Sequence, residues 1–144
     1  MKLFTRQSGM TLIELILMML IIGVLSVVVI PKLDMVSYFS TPVGGGAFMI
    51  ASDIRYAQEF AMANRISKSV VFTSGASVYT FSPSSGLDPS GRLPSGVTVG
   101  GNFTITFNSF GEPTAGGGGS VSVSSGGQTK TISVLNYTGK VNIS

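Results

Sequence analysis

The chain predicts an α+β fold: a long hydrophobic N-terminal helix, then a small head in which one helix packs on an antiparallel β-sheet. Three observations lead there. An apolar run extends from Met10 to Ile30 behind a short basic head, a stripe of apolar residues at helical spacing follows from Ala47, and from Ser69 onward the hydrophobic period shortens to two.

The apolar run is 21 residues long, about 31 Å as a helix, which matches the hydrocarbon thickness of a bilayer. Lys2 and Arg6 precede it without an acid, so the positive-inside rule predicts a cytoplasmic N-terminus and an exported remainder. A secretory signal has its small-residue cleavage site after the apolar core. Here the small residue, Gly9, comes before it. Within the run stands one carboxylate, Glu14, whose burial in an apolar environment is costly and therefore calls for a partner. Gly23 weakens a helix by about 1 kcal/mol relative to alanine. Pro31 removes a backbone donor, so the segment between the two is where the helix can kink or loosen.

Gly9 followed by Met10-Thr11-Leu12-Ile13-Glu14-Leu15 resembles the class III signal of type IV pilins and type II secretion pseudopilins. The resemblance implies cleavage by prepilin peptidase between Gly9 and Met10 and N-methylation of Met10. It implies that Glu14 pairs with the α-ammonium of a neighbouring subunit in a filament, and that Gly23 and Pro31 mark the flexible part of the helix. Most members have Phe at the first mature position, where this chain has Met. The implied partners are prepilin peptidase, other pilin or pseudopilin subunits, an inner-membrane assembly platform and, before assembly, membrane lipid. The implied location is the bacterial inner membrane, single-pass with a periplasmic head, and then the pilus or pseudopilus filament. Three regions follow: a leader at 1–9, a membrane and filament helix at 10–40, and a pilin-like α+β head at 41–144.

After Pro31 the helix is expected to run on through Lys32 to Ser40 until Thr41-Pro42-Val43-Gly44-Gly45-Gly46 breaks it, which reads as a hinge. A second helix reads from about Ala47 to Ile66, with Ala47, Ile50, Ile54, Ala57 and Ala61 on one face. Ser52, Asp53, Arg55, Gln58 and Glu59 fall mostly off it, with Arg55 and Glu59 spaced as an i,i+4 pair.

Ser69 to Phe72 and Ser77 to Phe81 flank Ser74-Gly75 and read as a hairpin. Asn102 to Phe107 alternates as a half-buried strand. Ser120 to Ser124 and Thr129 to Leu135 flank Gly126-Gly127, a pair suited to a tight turn. Val141 to Ile143 closes the chain after the turn Asn136-Tyr137-Thr138-Gly139. The expected head is one helix on a sheet of roughly five to seven strands, with loops at Ser82 to Gly96 and Gly111 to Gly119.

This order resembles the heads of the GspH/FimT group of minor pseudopilins and minor pilins, carried by Ala51-Ser52-Asp53-Ile54-Arg55-Tyr56-Ala57, by Phe107-Asn108-Ser109-Phe110-Gly111, and by Thr131-Ile132-Ser133-Val134 with Thr138-Gly139-Lys140-Val141. DNA-receptive members carry a more basic stretch near the last turn. Here that stretch offers Lys140 alone.

Composition excludes other classes. The chain has 9 basic and 6 acidic residues for a net charge of +3, and losing Lys2 and Arg6 with the leader removes most of that excess, so no nucleic-acid patch stands out. No His and no Cys means no disulfide, no thiol nucleophile and none of the usual soft metal ligands. No cofactor is implied. The glycine runs at 44–46 and 116–119 lack the Lys-Ser/Thr of a phosphate cradle. Asn102, Asn136 and Asn142 each open a glycosylation-type triplet of a kind that recurs by chance, and Met18 and Met19 read as packing residues. Three readings compete: a structural filament subunit, a minor pilin whose head binds DNA or another extracellular ligand, and an anchored enzyme. The first agrees with the heptapeptide, Glu14 and Pro31. The second needs a basic or aromatic stripe where Arg92, Lys130, Lys140 and Tyr137 are sparse, and the third lacks a nucleophile and base pair.

Overall fold

The computed structural model describes residues 11–29 and 41–144, and side chains at 11–24 and 41–144. Gly9, Met10 and Pro31, with the expected leader and hinge-proximal segment, lie outside the described residues. The chain divides into two units, Met1–Val36 and Ser37–Ser144, and each is described by itself.

In the first unit, α1 spans Leu12–Val29, 18 residues. Thr11 caps it, its Oγ1 and carbonyl accepting the Glu14 N–H at 3.4 and 3.1 Å. Among the described residues no helix is long and apolar enough to cross a membrane. This corrects the expected long hydrophobic N-terminal helix, the transmembrane reading of it, and the single-pass inner-membrane location with a periplasmic head; residues 30–40 of the expected 10–40 segment lie outside the described residues.

In the second unit, α2 spans Pro42–Asn64. The breaker-rich Thr41–Gly46 segment, expected as a hinge, forms its cap and first turn. The reason is local: Thr41 Oγ1 accepts the Gly44 N–H at 3.2 Å, and Pro42 occupies the first helical turn, where its missing N–H would have had no partner anyway. Gly46 also admits a close neighbour, since a Cβ there would stand 3.0 Å from Val97 Cγ1. Arg65 ends the helix in the left-handed conformation, its N–H returning to the Ala61 carbonyl. The buried face carries Ala47, Ile50, Ile54, Ala57 and Ala61, the stripe that the spacing predicts, and extends it by a turn to Val43. Small residues toward its C-terminal half let the helix lie close to the strands beneath.

Eight strands follow: β1 Lys68–Phe72, β2 Thr80–Ser82, β3 Thr98–Val99, β4 Phe103–Phe107, β5 Pro113–Ala115, β6 Ser120–Ser125, β7 Gln128–Val134 and β8 Val141–Ile143. They form two four-stranded antiparallel sheets, ordered β2-β1-β4-β5 and β3-β6-β7-β8, which corrects the expected single sheet. Two short strands that the pattern does not predict complete the two sheets: β5, inside the expected Gly111 to Gly119 loop, and β3, just after the expected Ser82 to Gly96 loop. β3 pairs with β6 rather than with its sequence neighbours, Val99 opposite Val123. After β5, Gly116 and Gly118 take φ of 77° and 78°, turning the chain out of the first sheet and into the second. The expected β1–β2 hairpin is present, with Val70 opposite Phe81, and Gly126 and Gly127, at φ 57° and 79°, join β6 to β7.

α2 packs against strands of both sheets, so a single apolar cluster joins its buried stripe to Val70, Phe72, Ile105 and Phe107 of one sheet and Val121, Val123, Ile132 and Val134 of the other. Each large side chain so buried contributes about 1.5–3 kcal/mol. In the absence of any disulfide, that core holds the unit together.

Candidate functional site

The sequence-predicted site residues that are described, Glu14 and Gly23, both lie on α1. Glu14 is exposed in the first turn, where a carboxylate interacts favourably with the helix dipole. It carries the only charge between Thr11 and Val29. Gly23 sits inside an unbroken helix with open space where a Cβ would stand. From Leu12 to Val24 every large hydrophobic side chain is exposed, from 44% at Ile21 to 78% at Leu12. An apolar helix exposed on all sides is stable only when something covers it.

The head holds three polar clusters that the sequence reading did not single out. In the first, Lys68 is fully buried, its Nζ 2.6 Å from Asp88 Oδ1 and donating to the Pro83 carbonyl at 2.6 Å. The Phe60 ring lies 4.3 Å from the same nitrogen. Asp88 also accepts from the Ser85 N–H at 2.6 Å and the Tyr56 hydroxyl at 3.1 Å. Burial alone would raise the Asp88 carboxyl, but the bonds from Lys68, Ser85 and Tyr56 outweigh it and hold it below the ordinary carboxylate value. The Tyr56 hydroxyl is in turn pushed up, by burial and by the Asp88 carboxylate. This cluster ties the 83–96 loop to β1 and α2. One signal for it was present: Lys68 stands in the inward phase of the alternation Lys68, Val70, Phe72.

In the second cluster the Tyr79 hydroxyl donates to Asp53 Oδ2 at 2.6 Å. Burial, with the carboxylate beside it, drives the Tyr79 hydroxyl far above its usual value. Burial also raises Asp53, and the bond from Tyr79 works against that rise. In the third, Gln58 Nε2 donates to the carbonyls of Gly111 at 2.7 Å and Thr138 at 2.9 Å. Arg55, expected opposite Glu59, instead reaches the Val141 carbonyl at 3.3 Å. Among the described residues no three His, Cys, Asp or Glu side chains could share a metal ion.

No family model, curated protein or solved structure matches this chain.

Proposed function

We propose that this chain is a structural subunit of a pilin-type filament, a type IV pilus or a type II secretion pseudopilus, processed by prepilin peptidase after Gly9 and assembled through α1. The observation that supports the reading is the exposed apolar surface of α1 from Leu12 to Val24 with one carboxylate in its first turn, directly after a Gly9-Met10 junction. Helices of neighbouring subunits would cover that surface, each side chain so buried contributing about 1.5–3 kcal/mol. Glu14, desolvated in the resulting bundle, would pair with the α-ammonium that cleavage frees at Met10 of a neighbour, and the pairing would fix axial register. The partners of this reading are prepilin peptidase, the other filament subunits and the assembly platform.

Glu14→Ala tests it. The variant keeps Gly9 and the apolar run, so cleavage proceeds and intact mass gives a chain beginning at Met10. Incorporation into sheared filaments then falls at least tenfold, because an unpaired ammonium stays in an apolar bundle. Glu14→Asp falls between, with its charge kept and its reach shortened. Wild-type incorporation of Glu14→Ala would refute the pairing.

A further inference from the structure

One pair of side chains in the head is placed for more than charge pairing. Lys68 is fully buried, its Nζ stands 2.6 Å from Asp88 Oδ1, and the Asp88 side chain is only 10% exposed. Aromatic rings wall the pair in. Phe60 and Phe81 lie 4.3 and 5.7 Å from the nitrogen, and the Tyr56 ring packs against both at 5.8 Å. A buried ion pair is by itself a weak source of stability, because its charges lose about as much on leaving water as they gain from each other. An amine and a carboxyl held in contact inside an apolar enclosure are also the two reactants of an amide.

We propose that Lys68 and Asp88 join in an intramolecular isopeptide bond that the folded head forms by itself. Newly folded chains hold the ion pair, and the bond follows. Apolar surroundings disfavour both charges, so the proton that Nζ shares with Oδ1 passes to the oxygen and leaves a neutral amine beside a neutral carboxyl. The Nζ lone pair then attacks Cγ. As the Nζ–Cγ bond forms, the π pair of Cγ=Oδ2 moves onto Oδ2, where the Ser85 N–H at 2.6 Å meets the developing negative charge. The Tyr56 hydroxyl, 3.1 Å from Oδ1, gives its proton to that oxygen and is reprotonated from Nζ. The Cγ–Oδ1 bond breaks with its pair on the departing water, and the Oδ2 pair closes the carbonyl. One ammonium and one carboxylate become one neutral amide and one water, with no oxidant or further reactant. The remaining N–H keeps the Pro83 carbonyl, which lies 2.6 Å from Nζ in the ion pair.

Two further features agree with this chemistry. Reactants held in contact reach effective concentrations on the order of 10⁵ M or more, and an enclosure that excludes water opposes the reverse hydrolysis. The residue after Asp88 is Pro89, whose nitrogen carries no proton, so the competing loss of water by cyclisation of Asp88 onto its own backbone is closed. The bond would tie the 83–96 loop to β1 permanently, the task of a disulfide in a chain that has no cysteine.

Trypsin reads the bond, because it does not cut at an acylated lysine. Between Arg65 and Arg92 the only basic residue is Lys68, so unlinked protein yields peptides 66–68 and 69–92. Full-length protein is digested at intervals after synthesis and the peptides are weighed and fragmented. The expected product of aged protein is one peptide, 66–92, lighter by one water and giving no fragment ions between 68 and 88. Protein kept unfolded in urea should stay unlinked, and Tyr56→Phe, which keeps the ring and lacks the hydroxyl, should convert about tenfold or more slowly. Separate peptides of unaltered mass from aged, folded protein would overturn the proposal. Loss of a water with Lys68 still cut would also overturn it, since the dehydration would then lie elsewhere. Equal conversion in urea would refute formation by the fold, and Tyr56→Phe converting at the wild-type rate would refute the role of that hydroxyl.

Discussion

Replacing Lys68 with methionine removes one charge of a buried pair and keeps the volume. The Lys68 side chain is fully excluded from solvent and that of Asp88 is 10% exposed, so the two do not lose equally when separated. In Lys68→Met, the Asp88 carboxylate retains the Ser85 N–H at 2.6 Å and the Tyr56 hydroxyl at 3.1 Å, and keeps a path to water. In Asp88→Asn, the Lys68 ammonium loses its counter-charge and keeps only neutral partners, the Pro83 carbonyl, the new amide oxygen and the Phe60 and Phe81 rings. Breaking a buried pair from one side costs about 3–5 kcal/mol. Asp88→Asn should lie at the upper end of that range and Lys68→Met at or below the lower. The double variant, with no charge left to desolvate, should recover most of the loss. Urea unfolding of residues 41–144 followed by circular dichroism measures all four corners of the cycle, and a loss of 3 kcal/mol corresponds to a melting shift of roughly 12 °C or more. A pH series checks the origin. The folded Asp88 carboxyl lies below the unfolded value of 3.8, so its contribution is fully present above that value and lost as pH falls below it through the folded value. The double variant lacks that acid-dependent loss. Lys68→Met as stable as wild type, or a double variant no better than the singles, would refute the assignment of the pair as the anchor of the 83–96 loop.

The remaining predictions concern the core, two glycines and one tyrosine. Ile54→Asp puts an unpaired charge at a fully buried position and should cost several kcal/mol, whereas Ser52→Asp on the exposed side should cost less than about 0.5 kcal/mol; equal thermal shifts would mean that the face of α2 is misassigned. Gly45→Ala meets open space in a helical turn and should stabilise by up to about 1 kcal/mol, while Gly111→Ala, at φ of 80° and against Met62, should destabilise by at least that much; the same urea curves decide. Tyr79 ionises in the folded head only well above the ordinary tyrosine value of 10.0, so stability is intact below pH 10 and is lost as pH rises beyond it. Phenolate absorbance should show Tyr56 titrating somewhat late and Tyr79 withheld until the head unfolds, and Tyr79→Phe should abolish the last step; full titration near pH 10 with the head still folded would count against the Tyr79–Asp53 bond.

Local pattern determined much of this protein. The stripe from Ala47 to Ala61 gave α2 its buried face, the alternation in Asn102 to Phe107 gave β4 its phase, and Gly126-Gly127 gave the turn between β6 and β7, because these depend on backbone geometry within a few residues. Pattern failed where breakers were read without their caps, since Thr41 and Pro42 start a helix that Gly44 to Gly46 then continue. The rest was decided by tertiary structure. Two sheets in place of one follow from β3 choosing β6, a partner more than twenty residues away, and that choice leaves no periodic trace. Lys68 and Asp88, Tyr79 and Asp53, and Gln58 between Gly111 and Thr138 are 20 to 80 residues apart. Their meaning exists only once the chain has closed, because a polar side chain declares its partner only when burial makes an unpaired one costly.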